Sequence, residues 1–487
     1  MTDKRWLIPI FLLLALMAAG LPFSLASWQQ AQNRPNLLFI YTDDLDMPLM
    51  AYMPLTNRLI AEQGAVFTNF FVTSSMCCPS RASTLRGQYP HNTGILENAP
   101  GFKKFYRQGS EQETLATWLE RAGYQNALLG KYLNLYPLGA FPEYIPPAWH
   151  DWRVFIDEGK PYYFAYALNE NGQVIRYYKK PEDYSTDVLN RHAQAFIRQR
   201  AAAGQPFFLF LSVYAPHGPS TPAPRHADQY TEVQYPKKPS FHEKDVSDKP
   251  AVIQTLRATG GLFEAEEADA LFVLRVQSMQ AVDEMVGDLV NLLQETGQLE
   301  NTYIFFSSDN GFHMGEHMLP SGKMLPYEED ILVPLYVRGP GIRPGTKISE
   351  LTVNVDLAPT FLELAGARFP RLLDGRSLAP LLFSATPPAD WRKAVLIETG
   401  EIEKETDALA WRGVRTETFK YVEYENGELE FYDLVNDPFE MENLAAHLSP
   451  ETLNTLHRWL ARLAACRAEE CRRLEQEIPT VQYASSP

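Results

Sequence analysis

Four cysteines in 487 residues are too few for a disulfide-built scaffold. Two of them, Cys77 and Cys78, are adjacent, which leaves Cys466 and Cys471 as a spaced pair near the far end. Basic residues are also scarce: 44 Lys and Arg stand against 60 Asp and Glu, for a net charge of −16. A duplex-binding protein needs a basic face to neutralise phosphates, so nucleic acid is excluded as the partner. A small anionic substrate is not excluded, because a few buried cations dominate a site whatever the surface carries. No apolar run after the first 26 residues is long enough to span a bilayer, and no internal repeat or low-complexity tract occurs. What is present is a globular composition, 45% hydrophobic and 21% charged. Single cores stop growing near ~250–300 residues, so this length implies a large domain with a smaller one, or two to three domains.

The first residues follow an export pattern. Lys4 and Arg5 precede an apolar run from Trp6 to Ala19, and the small residues Ser24 and Ala26 suit a signal-peptidase cut. The run is shorter than the ~20 residues a bilayer core needs, and Pro9 and Pro22 punctuate it. Residues 1–26 therefore read as a signal peptide in preference to an anchor. The mature protein is expected to be periplasmic or secreted, with no stable membrane span.

Apolar runs at Asn36–Tyr41, Gln125–Leu129, Pro206–Tyr214, Thr302–Ser307 and Leu332–Val337 do not alternate with polar residues, the mark of strands buried on both faces. Helical patterns lie between them, at Glu111–Ala122, Thr186–Ala203, Ala265–Gln298 and Val355–Leu364. The alternation predicts an α/β fold whose ligand site lies beyond the carboxyl ends of the strands. The stretch from Pro137 to Lys180, rich in Pro, Tyr and Trp, reads as a long binding loop. From about Trp391 the texture changes to short strands, Ala394–Glu398, Ala410–Thr416, Phe419–Glu423 and Leu429–Tyr432, with the hairpin signal Asn426-Gly427 and a last helix over Pro450–Leu474. The expected division is 27–390 as the main α/β domain and 391–487 as a C-terminal subdomain with an antiparallel sheet. Cys466 and Cys471, five apart, fall on different faces of a helix, so the helix must end or kink if they are bonded. Export favours a local disulfide between them.

Two of the strand ends carry hard oxygen donors: Asp43-Asp44 after the first run and Asp309-Asn310 after a later one. Such donors suit Ca²⁺ or Mg²⁺, not zinc, although helix caps and Asx-turns use the same residues. Cys77-Cys78-Pro79-Ser80-Arg81, followed by Leu85 and Gly87, reads from the residues alone as a redox pair, a vicinal disulfide or buried thiols at a helix start.

The same segment resembles the signature of the type I sulfatases, Cys-x-Pro-Ser-Arg followed by x-x-x-Leu-x-Gly. Companion pieces occur in family order: Asp43-Asp44, Gly130-Lys131-Tyr132, Ala215-Pro216-His217, Asp309-Asn310-Gly311, Gly315-Glu316-His317, Lys323 and Asp356 to Thr360. The stretch Phe431 to Pro438 with Glu442-Asn443-Leu444 is similar to the family's C-terminal subdomain. The resemblance implies an alkaline-phosphatase-like sandwich with a large mixed, mostly parallel sheet flanked by helices, plus a smaller C-terminal α+β subdomain.

It further implies that Cys77 is oxidised to formylglycine by a formylglycine-generating maturase. Asp43, Asp44, Asp309 and Asn310, with the modified Cys77, would bind Ca²⁺, with Mg²⁺ as the alternative. Lys131, His217 and Lys323 would line the sulfate, Arg81 would hold the site in order, and His217 would protonate the leaving group. Many members place a histidine two residues after the lysine, but here Leu133 stands there, which leaves the base open. Gly130 to Asn134 and Asp245 to Pro250 resemble the N-acetylglucosamine-6-sulfatase and arylsulfatase branch. The implied substrate is a sulfated saccharide, with a 6-O-sulfated N-acetylglucosamine-type residue favoured, or an aryl sulfate ester. The rivals are a phosphate or phosphonate monoester hydrolase of the same fold and a non-catalytic sulfated-glycan-binding protein. His313 and His317, four apart, are read as wall groups and not as zinc ligands.

Overall fold

The computed structural model describes residues 34–481 except 158, 160, 161, 262, 385 and 401–409. The signal-peptide segment 1–26 lies outside the described residues. Sixteen strands are described: β1 (Asn36–Asp43), β2 (Ala65–Phe67), β3 (Phe70–Phe71), β4 (Gln125–Gly130), β5 (Asp151–Phe155), β6 (Ala167–Glu170), β7 (Gln173–Arg176) and β8 (Phe207–Pro216) from the first half. The rest are β9 (Thr302–Ser308), β10 (Leu335–Arg338), β11 (Thr346–Ile348), β12 (Thr352–Val353), β13 (Ala394–Thr399), β14 (Trp411–Thr416), β15 (Phe419–Tyr424) and β16 (Leu429–Asp433).

Ten of these form one sheet in the order β11-β2-β10-β9-β1-β8-β4-β5-β6-β7. Its centre, β9-β1-β8-β4, is parallel throughout, and antiparallel pairs appear toward both edges. β10 is one of the antiparallel strands, so the run at Leu332–Val337 enters the sheet only from Leu335. Side chains alternate across a strand, and both sides of β1 are buried. Leu37, Phe39 and Tyr41 pack with Phe208, Phe210 and Phe361, whereas Leu38 and Ile40 pack with Leu209, Leu211, Val282 and Val286. Helices Leu115–Arg121 and Leu357–Leu364 cover the first face, and Ser185–Ala203 and Ala265–Glu295 cover the second. This two-sided burial accounts for the unbroken apolar runs.

The 137–180 stretch departs from the long-loop reading: it contains β5, β6 and β7, which extend the sheet beyond β4. Most of its aromatic residues pack, with Trp152 fully buried against Tyr132 and Tyr136, while Phe141 and Tyr178 stay exposed. The helical pattern at Glu111–Ala122 is likewise interrupted; a short 3₁₀ turn, Ser110–Gln112, precedes a helix that begins only at Leu115.

β13 to β16 form a separate four-stranded antiparallel sheet, with Gly427 at positive φ in the turn between the last two. The hydrophobic cluster on the first face of the large sheet continues into it through Trp391, Leu396, Val414 and Tyr421. The final helix differs from a single span over Pro450–Leu474. It stops at Leu463 and restarts at Glu469 as a second short helix. Cys466 lies in the break, Cys471 in the second helix, and the two are joined by a disulfide. The break is what lets residues that would otherwise sit on different helical faces meet.

Among the described residues no helix is long and apolar enough to cross a membrane.

Candidate active site

Because β9, β1, β8 and β4 are parallel, their carboxyl ends share one edge. That edge collects Asp309 and Asn310 after β9, Asp43 and Asp44 at β1, His217 after β8 and Lys131 after β4. Gly130 makes the last of these placements possible. It has φ 105°, and a Cβ there would lie 1.9 Å from the Ser212 carbonyl oxygen. Asp44 also sits in the left-handed region, φ 65°, where Asp is tolerated better than most residues. Its backbone N–H donates to Asp309 Oδ1 at 3.1 Å, and the next N–H to Ser308 Oγ at 2.9 Å.

The helix Cys77–Arg86 begins at Cys77, has Pro79 in its first turn where no N–H is missed, and ends at Gly87 in the left-handed conformation. Cys77 therefore stands at the helix start, facing the strand ends. Its Sγ lies 3.5 Å from Asp43 Oδ1 and accepts from Lys323 Nζ at 2.7 Å. Arg81, one turn on, is 1% exposed. Its Nε donates to Asp309 Oδ2 at 2.7 Å and its Nη1 to Ser212 Oγ at 2.7 Å and to the Lys131 carbonyl at 3.2 Å. One guanidinium thereby ties three strand ends together.

Three buried carboxylates, Asp43, Asp44 and Asp309, meet two buried cations, Arg81 and Lys131, and the partly buried Lys323. Lys131 bonds Asp43 and Lys323 bonds Asp44. Burial alone would raise Asp43, but Lys131, His217 and Arg81 outweigh it and hold the carboxyl down at about 2. Burial pushes the Cys77 thiol up to about 12, against the pull of Lys131 and Lys323. An unmodified Cys77 is thus a neutral thiol at working pH and a poor nucleophile.

Donor atoms of Asp43, Asp44, Cys77 and His217 lie within 4.8 Å of one another. Asp309 is less free, since its two oxygens are taken by the Asp44 N–H and Arg81. Asn310 Nδ2 donates to Asp44 Oδ1 at 2.8 Å, and its buried Oδ1 has no hydrogen-bond partner among the described residues. A buried amide oxygen left unpaired beside three carboxylates is a donor set that fits a hard divalent cation.

His217 is the most open member of the group, its side chain 30% exposed. Nδ1 donates to the Gly218 carbonyl at 3.0 Å, and Nε2 lies 3.7 Å from Asp44 Oδ2. His313 and His317 turn elsewhere, to Asp330 at 2.7 Å and Glu243 at 2.6 Å. Leu133 is buried in the aromatic cluster behind Lys131.

Several residues at the site carry no motif. Ser212 is foreshadowed only as a lone hydroxyl in the run Phe207 to Val213. Asn98, whose Oδ1 accepts the Cys78 N–H at 2.9 Å, has no sequence signal.

Residues 35–367 match the family described as Sulfatase, and residues 315–466 match N-sulphoglucosamine sulphohydrolase, C-terminal. The human N-acetylglucosamine-6-sulfatase is 34% identical over 504 residues, covering 95% of this chain and 90% of that protein. An extracellular sulfatase SULF-1 homolog of Drosophila melanogaster is 36% identical over 428 residues, but the chain spans only 37% of its length, and 56% of a Caenorhabditis elegans homolog. A solved structure in complex with its substrate D-glucosamine-2-N,6-O-disulfate superposes with a TM-score of 0.73 at 27% identity, covering 88% of this chain and 97% of that one. A phosphonate monoester hydrolase from Silicibacter pomeroyi shares the fold, with a TM-score of 0.72 at 23% identity. With its large sheet, its small C-terminal sheet and these matches, the chain belongs to the sulfatase family.

Proposed function

We propose that the protein is an exported sulfatase that removes sulfate from a 6-O-sulfated N-acetylglucosamine-type residue. The observation that carries this reading is the convergence of Cys77, Lys131, Lys323 and His217 on three buried carboxylates at one sheet edge. The amino-sugar assignment rests on the N-acetylglucosamine-6-sulfatase relatives and on the glucosamine disulfate ligand of a structural neighbour.

In this reading Asp43, Asp44, Asp309, Asn310 and the modified Cys77 hold Ca²⁺. The formylglycine made from Cys77 supplies a hydroxyl nucleophile in its hydrated form, and the cation supplies Lewis-acid polarisation of the sulfuryl oxygens. The remaining work falls to the chain's own side chains. Lys131 and Lys323, paired with Asp43 and Asp44 here, would turn to an anionic ester and meet the charge that spreads over it in the transition state. Arg81 keeps Asp309 and the Lys131 backbone in register through its fork. His217 delivers a proton from Nε2 to the departing sugar oxygen, its Nδ1–H being committed to the Gly218 carbonyl. The pocket needs few cations because the ester carries a single negative charge, which suits a chain of net charge −16 acting on a short saccharide or chain end.

The test is the mass of the peptide Thr73–Arg81 from natively produced protein, together with turnover of N-acetylglucosamine-6-sulfate and of its 6-phosphate. The expected result is an aldehyde in place of the Cys77 thiol and preference for the sulfate. An unmodified thiol in active protein would defeat the mechanism, and preference for the phosphate would defeat the substrate class.

A further inference from the structure

The loop that carries Lys323 is fastened from the C-terminal sheet. Met324, the residue after Lys323, has φ 84°, a conformation that is sterically costly for any side chain larger than hydrogen and that persists only where the surroundings impose it. The indole Nε1 of Trp411, on β14 and 2% exposed, donates to the Met324 carbonyl at 3.0 Å. Farther along the loop, Lys420 Nζ on β15 donates to the Pro326 carbonyl at 2.7 Å. Tyr327 donates to Glu430 on β16 at 2.8 Å. Leu325 is held from the core, its N–H by Asp330 at 2.9 Å and its carbonyl by Ser75 at 2.9 Å. The Trp411 bond falls on the strained residue itself, one peptide from the lysine whose Nζ lies 2.7 Å from Cys77 Sγ.

We propose that Trp411 is a positioning residue: its indole N–H holds Met324 in the left-handed conformation that sets the Lys323 ammonium against Cys77. The C-terminal sheet then serves catalysis by fixing the geometry of one cation as well as by closing the core. The proposal rests on the reading of Lys323 as a sulfate-binding group, and its consequence for the loop can be measured apart from that reading.

Trp411→Phe keeps a large ring in place and removes the donor. Met324 is then free to relax to negative φ, and Lys323 swings from Cys77. The expected result is a fall in kcat/KM toward nitrophenyl sulfate of about tenfold, with an unchanged thermal midpoint. Glycine takes φ 84° without steric cost, so Trp411→Phe combined with Met324→Gly should recover activity to within roughly threefold of the parent. Labelling of Lys323 by trinitrobenzenesulfonate, read by peptide mass, should rise in Trp411→Phe and fall back in the double variant. Met324→Val, which disfavours positive φ with the indole intact, should raise labelling in the same way and supplies the perturbation if Trp411→Phe folds poorly. Loss of activity without rescue by glycine would make Trp411 a packing residue only and overturn the proposal. So would unchanged Lys323 labelling in both Trp411→Phe and Met324→Val. A parent protein that shows the labelling pattern but no sulfate release would refute the functional reading and leave the positioning role standing.

Discussion

Replacing His217 with alanine separates proton delivery to the leaving group from the rest of the chemistry. The imidazole makes one hydrogen bond, to the Gly218 carbonyl, and stacks on Tyr214 at 4.7 Å between ring centroids. It is partly exposed, so its removal should cost the fold no more than about 1 kcal/mol. In the proposed role of general acid its loss is worth far more. Such groups contribute about 10²- to 10⁴-fold, or about 3–5 kcal/mol of transition-state stabilisation. That cost applies only where the leaving oxygen needs a proton. The alkoxide of a sugar does, whereas nitrophenolate departs as a stable anion. His217→Ala should therefore lower kcat/KM for N-acetylglucosamine-6-sulfate by at least about 100-fold and for nitrophenyl sulfate by less than about tenfold. Sulfate release followed by ion chromatography and nitrophenolate absorbance measure the two. Equal losses on both esters would refute the assignment, because the residue would then be acting on a step the two share, such as binding the sulfate or activating the nucleophile.

Dialysis against a chelator should abolish turnover and added Ca²⁺ should restore it, while Asn310→Ala, which deletes the unpaired buried oxygen, should raise the Ca²⁺ concentration for half-recovery by roughly tenfold or more; an Asn310→Ala enzyme with unaltered Ca²⁺ response would count against that ligand. Glu111 gives a prediction about pH. Burial raises its carboxyl from 4.5 to about 7, with hydrogen bonds from Tyr144 and Tyr132 offsetting part of the effect. The folded chain thus keeps a proton that the unfolded chain releases, so the stabilisation is complete below about pH 4 and is lost as pH rises through 7. Glu111→Gln should flatten the fall in urea-unfolding free energy between pH 4 and 7 by about 3 kcal/mol, and an unchanged slope would show that the proton is held elsewhere.

Strands and helices of the large sheet are legible where burial is two-sided, because a short apolar run with no alternation, bounded by turn residues, suits a strand covered on both faces and little else. The region from Pro137 to Lys180 is not legible in this way. β6 and β7 are short and lie toward the edge, and residues such as Asn169 and Gln173 break the pattern, so aromatic side chains that are packed look like a binding loop. The last helix misleads for a different reason: its apolar spacing runs on past the point where Ala468, at φ 49°, interrupts the backbone.

The site divides along the same line. Residue types at strand ends are local information, and the sequence alone determines that Asp43-Asp44, Lys131, His217 and Asp309-Asn310 follow apolar runs, whereas the helix that starts at Cys77 is only one of three readings of its segment until the fold is known. Which of them meet is a matter of strand order and direction, and that is decided by the parallel set β9-β1-β8-β4, whose paired residues on β1 and β9 lie 266 apart in the chain. Tertiary structure also decides what surrounds the chemistry: the Ser212 hydroxyl beside Arg81, the free oxygen of Asn310, the pairing of His313 with Asp330 and of His317 with Glu243, and the hold of Trp411 on Met324. Each depends on which groups, separate in the chain, the folded core brings together or leaves apart, so no spacing rule encodes it.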